Sequence, residues 1–121
     1  IACLEEILVV DIADGTLAPL QRGPDSYTGL GDGLAFGDGN LFITQNSGLL
    51  GLRVLQCRLD DTGREVTGTR RIRWTQPEGR MPYTCALGDG VLYVNATAPF
   101  AQYDNPEPPP PSAIVEIGLE R

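Results

Sequence analysis

Histidine and lysine are both missing from this chain, so all nine of its basic residues are arginine. Without histidine, no Ser-His or Cys-His nucleophilic pair can be assembled from this polypeptide alone, and no imidazole-based zinc site. Without lysine, Schiff-base chemistry and a lysine general base are excluded too. A GC-rich coding sequence accounts for the all-arginine pattern more simply than selection for function. No apolar run is long enough to span a bilayer, and no long apolar period of helical type occurs. Positive charge is scarce: nine arginines face 16 acidic residues, for a net charge of −7 and a pI near 4.4. No basic stripe exists to displace counterions from nucleic-acid phosphates, and anionic membrane surfaces are disfavoured on the same ground. The sequence opens at Ile1 without a Met or a charged-then-apolar leader, and so reads as a processed or excised piece.

Turn formers, by contrast, are abundant. Fifteen Gly and 10 Pro in 121 residues point to many short elements joined by tight turns, which favours an all-β architecture. At 41% hydrophobic and 21% charged, the composition is that of an ordinary globular domain. Cys3, Cys57 and Cys85 are odd in number and lack the paired spacing of a metal knuckle. They are read as free thiols or disulfide partners, with at least one left over. Asn95-Ala96-Thr97 matches the N-glycosylation acceptor pattern. Together these features allow an oxidising, extracytoplasmic or secreted location without requiring it.

The informative feature is an internal repeat. Leu34-Ala-Phe-Gly-Asp-Gly-Asn-Leu-Phe-Ile-Thr-Gln-Asn46 lies over Cys85-Ala-Leu-Gly-Asp-Gly-Val-Leu-Tyr-Val-Asn-Ala-Thr97 at an offset of 51 residues. Ala, Gly-Asp-Gly and Leu coincide, and the pairs Phe36/Leu87, Phe42/Tyr93 and Ile43/Val94 stay apolar in register. A period near 50 is that of a propeller blade. Each copy has hairpin grammar: a short apolar strand, a turn on Gly-Asp-Gly, and a second strand rich in aromatic and β-branched residues. After the first copy, Gly51 to Leu59 alternates like a strand, Asp60 to Gly63 turns, and Glu65 to Trp74 returns, completing a four-stranded meander. After the second, Ala113 to Leu119 takes the register of Arg53 to Leu59 at an offset of 60. The nine extra residues are Asp104 to Ser112, a proline-rich tract that cannot pair in a sheet and is predicted to be a loop insertion.

At the other end, Ile7 to Ile12 aligns with Val54 to Leu59, and Asp14-Gly15 takes the turn. The predicted fold is therefore an all-β propeller segment of about two four-stranded antiparallel blades, with strand order c-d, a-b-c-d, a-b-c. Residues 1–23 hold the outer strands of a preceding partial blade. Residues 24–78 form a complete blade, and 79–121 a final partial blade carrying the insertion at 104–112. Each blade has two apolar faces and needs a neighbour on both. The chain is accordingly expected to sit against other polypeptide: the rest of a propeller, another subunit, or copies of itself.

The segments Gly31 to Asn46 and Thr84 to Asn95 resemble blades of six-bladed propellers of the gluconolactonase/regucalcin-like and strictosidine-synthase-like superfamily, as C-terminal blades of such a ring. In lactonases of that group a divalent cation is held in the channel by one Asn before a Gly-Leu strand start and one Asp at the end of the next strand. The resemblance implies Asp32 and Asn46 at those places, with the two side-chain types exchanged, and Tyr83 and Thr97 in the following blade. An oxygen-ligand site for calcium or another divalent cation tolerates that exchange, whereas a carboxylate base at the second place is lost.

Each of these features also has a plainer reading. Asp beside Gly caps hairpins, and this is preferred for Asp32, Asp38 and Asp89. Glu5-Glu6 and Asp60-Asp61 read as solvated edge or turn residues, because neighbours in a strand face opposite ways. Arg70-Arg-Ile-Arg73 could meet an acidic partner, but solvent-facing charge on an outer strand is the preferred reading. Two functions follow, in order of preference: a structural and interaction module of a larger assembly, or a fragment of a lactonase-like hydrolase with most catalytic residues elsewhere.

Overall fold

The two Gly-Asp-Gly triplets fold as the repeat requires. Asp38 and Gly39 take φ of 50° and 71°, and Asp89 and Gly90 take 51° and 76°, the paired positive angles of a two-residue type I′ turn. Each turn joins two antiparallel strands, β4 (Gly31–Gly37) to β5 (Asn40–Ser47) and β8 (Met81–Gly88) to β9 (Val91–Thr97). The likeness extends to single hydrogen bonds. Leu59 N–H donates to the Gly39 carbonyl at 2.9 Å, and Leu119 N–H to the Gly90 carbonyl at 3.2 Å.

A computed structural model describes residues 5–23, 26–47, 51–99, 107–108 and 111–119, and among them no helix occurs. The remaining strands are β1 (Leu8–Val10), β2 (Leu17–Pro19), β3 (Gln21–Arg22), β6 (Gly51–Leu59), β7 (Glu65–Ile72) and β10 (Ala113–Gly118). They form a two-stranded sheet β1-β2, a curled five-stranded sheet β3-β7-β6-β5-β4, and a three-stranded sheet β10-β9-β8. In blade terms this is c-d, a-b-c-d, a-b-c. The chain is a partial propeller-like all-β fold with a complete blade between two incomplete ones. Cys3 lies outside the described residues, as does most of the 104–112 insertion.

One strand departs from the meander. At Leu20, whose N–H donates to the Ile7 carbonyl, the chain leaves the first sheet, and Gln21-Arg22 crosses to pair with Glu65-Val66 of β7 in parallel. Leu20 is buried at that crossing. A two-residue parallel pairing carries no periodic signal, so nothing in the sequence marks it.

The β6-β7 turn is organised by Asp60. Its carboxylate accepts the Thr62 hydroxyl and the N–H groups of Arg64 and Glu65. Those hydrogen bonds, Thr62's foremost, hold the carboxyl below its ordinary value, at about 2. Because the folded value is the lower one, the turn keeps this contribution above the ordinary carboxylate range and loses it as pH falls through about 2. An NMR titration of the side-chain carboxyl carbon should place the Asp60 midpoint near 2. Thr62→Val should raise it toward the ordinary Asp value.

The complete blade buries both faces. On one, Leu41, Ile43, Leu55, Cys57 and Val66 pack under Ile7 and Leu20. On the other, Phe42, Val54 and Ile72 meet Leu92, Val94 and Ile117 of the final sheet. Strand alternation sorts neighbouring residues of one strand into two different cores: Ile43 into the first, Phe42 into the second. The innermost strands approach closely. A Cβ on Gly33 would stand 2.6 Å from Thr84 Cα and 2.8 Å from the Tyr83 carbonyl oxygen. The Thr44 hydroxyl crosses between the sheets to donate to that same carbonyl at 2.6 Å.

Candidate functional site at the rim of the inner strands

The inner strands β4 and β8 each carry an irregularity at the same place in the repeat. Register shifts between Gly31 and Gly33 opposite β5, and between Pro82 and Thr84 opposite β9. Asp32 and Tyr83 are the residues between, the extra residue of a β-bulge in each case. Bulges turn a side chain out of the regular alternation. Asp32 is exposed, and its Oδ2 accepts a hydrogen bond from the Asn46 amide nitrogen, so the two family-implied positions are brought together. In the next blade Thr97 takes the place of Asn46, and its hydroxyl oxygen accepts from Ser112 at 2.8 Å.

A buried polar network supports this rim, and sequence reasoning did not find it. Gln45 is fully buried beneath the rim. Its amide nitrogen donates to the carbonyls of Gly29 at 2.5 Å and Tyr27 at 3.3 Å, and its amide oxygen accepts from Arg53 Nε at 2.6 Å. The side chain thereby satisfies backbone acceptors of the segment leading into the Asp32 bulge, as a buried amide must to avoid a desolvation penalty. The only available signal was a glutamine within a run of strand residues, which sequence alone does not separate from a solvent-facing one.

The chemistry this rim can perform is narrow. Calcium takes six to eight oxygen ligands, and a hydrolytic cation site draws several of them from side chains. Asp32 and Asn46 offer two, and Asn46 presents its nitrogen rather than its oxygen to the shared space. No cluster of three or more Asp, Glu, Cys or His suited to a metal occurs among the described residues. The pair thus supplies two side-chain oxygen donors of the six to eight that calcium takes, and the rest would have to come from other polypeptide.

Cys57 and Cys85 are both free thiols on opposite faces of the complete blade: Cys57 in the core under Ile7 and Leu20, Cys85 in the core shared with the final sheet. The sheet itself stands between them, and Cys85 points toward the Phe42 carbonyl at 3.9 Å. Burial pushes both thiols up to about 11, so little thiolate exists at neutral pH. With a thiol-specific reagent at pH 7.5, the fully buried Cys57 should react at least about a hundredfold more slowly in the native chain than in guanidinium, because only opened molecules expose it, and the half-buried Cys85 should be slowed less. Peptide mass mapping resolves the two sites.

Asn95 sits in mid-strand on β9, opposite Thr84 on one side and Ile114 on the other, and is half-buried. Its side chain shares the outward face of the final sheet with those residues. None of the described residues forms a helix, so none provides a helix long and apolar enough to cross a membrane. Comparison with family models, curated proteins and solved structures returned no significant match.

Proposed function

We propose that this chain is a structural and interaction module whose outward sheet faces pack against further polypeptide. The observation that carries this reading is the state of the two outer surfaces. On the first sheet, Val10 and Leu17 are cross-strand partners turned away from the buried Ile7 and Leu20, and Leu17 remains 61% exposed. Phe36 continues the face of Leu34 past the cover of that sheet and is 64% exposed, as is Ile114 on the far side of the final sheet. Single exposed apolar side chains are ordinary, but the adjacent pair Val10 and Leu17, 37% and 61% exposed on one face of a two-stranded sheet, supports a contact surface there. A two-stranded ribbon is also marginal by itself, so cover on its outer face contributes to its stability.

Sedimentation velocity of the chain across a concentration series tests the reading directly. Association is expected, and Val10→Glu with Leu17→Glu should abolish it while leaving the β-sheet circular dichroism intact. A chain that stays monomeric at high concentration, melts cooperatively and binds no hydrophobic dye would overturn the proposal. A glycan on Asn95 would hold polypeptide off the far face, so full occupancy of that sequon in the native protein would restrict packing to the β1-β2 side.

The lactonase-like reading rests on one specific observation, the meeting of Asp32 with Asn46 at the bulge. It requires further oxygen ligands from polypeptide brought to this rim. Calcium titration of the assembled protein would detect such a site, and Asp32→Ala should remove it. No calorimetric response to calcium would leave the interaction module as the sole reading.

A further inference from the structure

The final sheet has one edge that differs from its counterpart in the complete blade. β6 is paired on one side with β5 and on the other with β7. β10, which stands in the β6 position, is paired with β9, and among the described residues no strand lies on its other side. A row of backbone donors and acceptors is thus offered beside Ile117, Gly118 and Leu119, and a groove runs between that edge and the Arg70–Arg73 stretch of the neighbouring outer strand.

The floor of this groove has a definite chemistry. Ile72, Arg70 and Gly68 alternate onto the face turned to the final sheet, where they oppose Val54, Gln56 and Arg58 of β6. Arg58 and Arg70 are therefore diagonal neighbours on one face, two like charges whose repulsion any intervening anion would relieve. Arg70 Nε donates to Gln56 Oε1 at 2.6 Å, and Gln56 passes the connection to Asn40 Oδ1 at 2.9 Å. The acceptor that Arg70 holds is therefore a neutral amide rather than a carboxylate. Arg58 lines an adjoining hollow that meets this groove at Leu119 and also holds the turn aspartates Asp38 and Asp89, whereas Arg70 lines the groove itself with Ile72 and Ile117. In a chain of net charge −7, a sheet-side groove with arginine on its floor stands out from its surroundings.

We infer that this edge accepts an extended polypeptide strand carrying carboxylates at alternate positions, which pairs antiparallel with β10 and sets its acidic side chains against Arg70 and Arg58. Main-chain hydrogen bonds to the edge supply affinity, and the guanidinium groups select the side chains. The alternative is that the arginines are solvated charges that keep strands away. The inference rests on the reading that the chain packs against further polypeptide, and names the chemistry of one such contact.

The test uses two acetylated and amidated decapeptides, one alternating Val with Glu and the other Val with Lys, measured by fluorescence anisotropy against the whole chain. The Glu peptide should bind and the Lys peptide should not. Arg70→Glu should weaken the Glu peptide about tenfold or more and confer binding of the Lys peptide, with Arg58→Glu acting in the same direction. Arg70 is exposed, so the fold should tolerate both changes, and circular dichroism checks that it does. Equal binding of both peptides, binding of neither, or a preference untouched by Arg70→Glu each overturns the acidic-strand assignment. If association through Val10 and Leu17 persists while neither peptide binds, only this inference fails; if the chain shows no association of any kind, the parent reading fails with it.

Discussion

Gly33→Ala should destabilise the chain by about 3 kcal/mol or more, a large share of the roughly 5–15 kcal/mol available to a domain of this size. The added Cβ would stand 2.6 Å from Thr84 Cα and 2.8 Å from the Tyr83 carbonyl. Both are backbone atoms of the neighbouring sheet, so no rotamer change relieves the contact. The inner strands would have to part, and parting them breaks the Thr44 hydroxyl's 2.6 Å hydrogen bond to the Tyr83 carbonyl, leaving a fully buried hydroxyl in need of a partner. Gly68→Ala is the matched control. It lies in a strand, meets nothing within 4 Å, and should change stability by no more than about 0.5 kcal/mol. Chemical denaturation of the two variants beside the parent chain gives the comparison. If Gly33→Ala proved as neutral as Gly68→Ala, the sheets would not approach in solution as described.

Phe42→Ala should cost about 3–5 kcal/mol, the range for deleting a buried aromatic side chain. Phe42 is 2% exposed and sits where Val54 and Ile72 of its own sheet meet Leu92, Val94 and Ile117 of the final one. Collapse into the vacated space would require the two sheets to move together, and the close approach at Gly33 already limits that movement. Much of the cavity should therefore persist. Phe36→Ala removes the same side chain from a 64% exposed site and should cost little in the isolated chain. In an assembly that covers the face of Leu34, the same change should weaken association instead. Thermal and denaturant melts of both variants, with sedimentation, separate packing within the chain from packing between chains.

Much of this architecture was legible because it repeats. The Gly-Asp-Gly triplets specify hairpin turns locally: only residues that tolerate positive φ can occupy both central positions, and Asp-Gly is such a pair. The offset of 51 residues carried the turn, the flanking apolar register and the strand order together, and the observed order c-d, a-b-c-d, a-b-c follows it. The candidate site was legible only in part. Asp32 and Asn46 were singled out, but not that Asp32 is a bulge residue, nor that Gln45 next to Asn46 is the buried support of the rim. A bulge is a one-residue slip between paired strands, and an alignment of a repeat with itself leaves it invisible when both copies slip alike.

Composition and spacing by themselves determined the all-β class, the hairpins, the blade order, and the absence of histidine and lysine chemistry. Each of these depends on residue identity or on contacts between residues close in sequence. Tertiary structure alone decided that Cys57 and Cys85 pack on either side of the five-stranded sheet, that Gln21-Arg22 crosses to β7 in parallel, and that Arg58 and Arg70 share one sheet face, with Arg70 lining the groove beside the β10 edge. The physical reason is the same throughout. The side a strand residue faces is set by its register against a partner, and register between sheets is settled by packing over the whole domain, where no local propensity reaches.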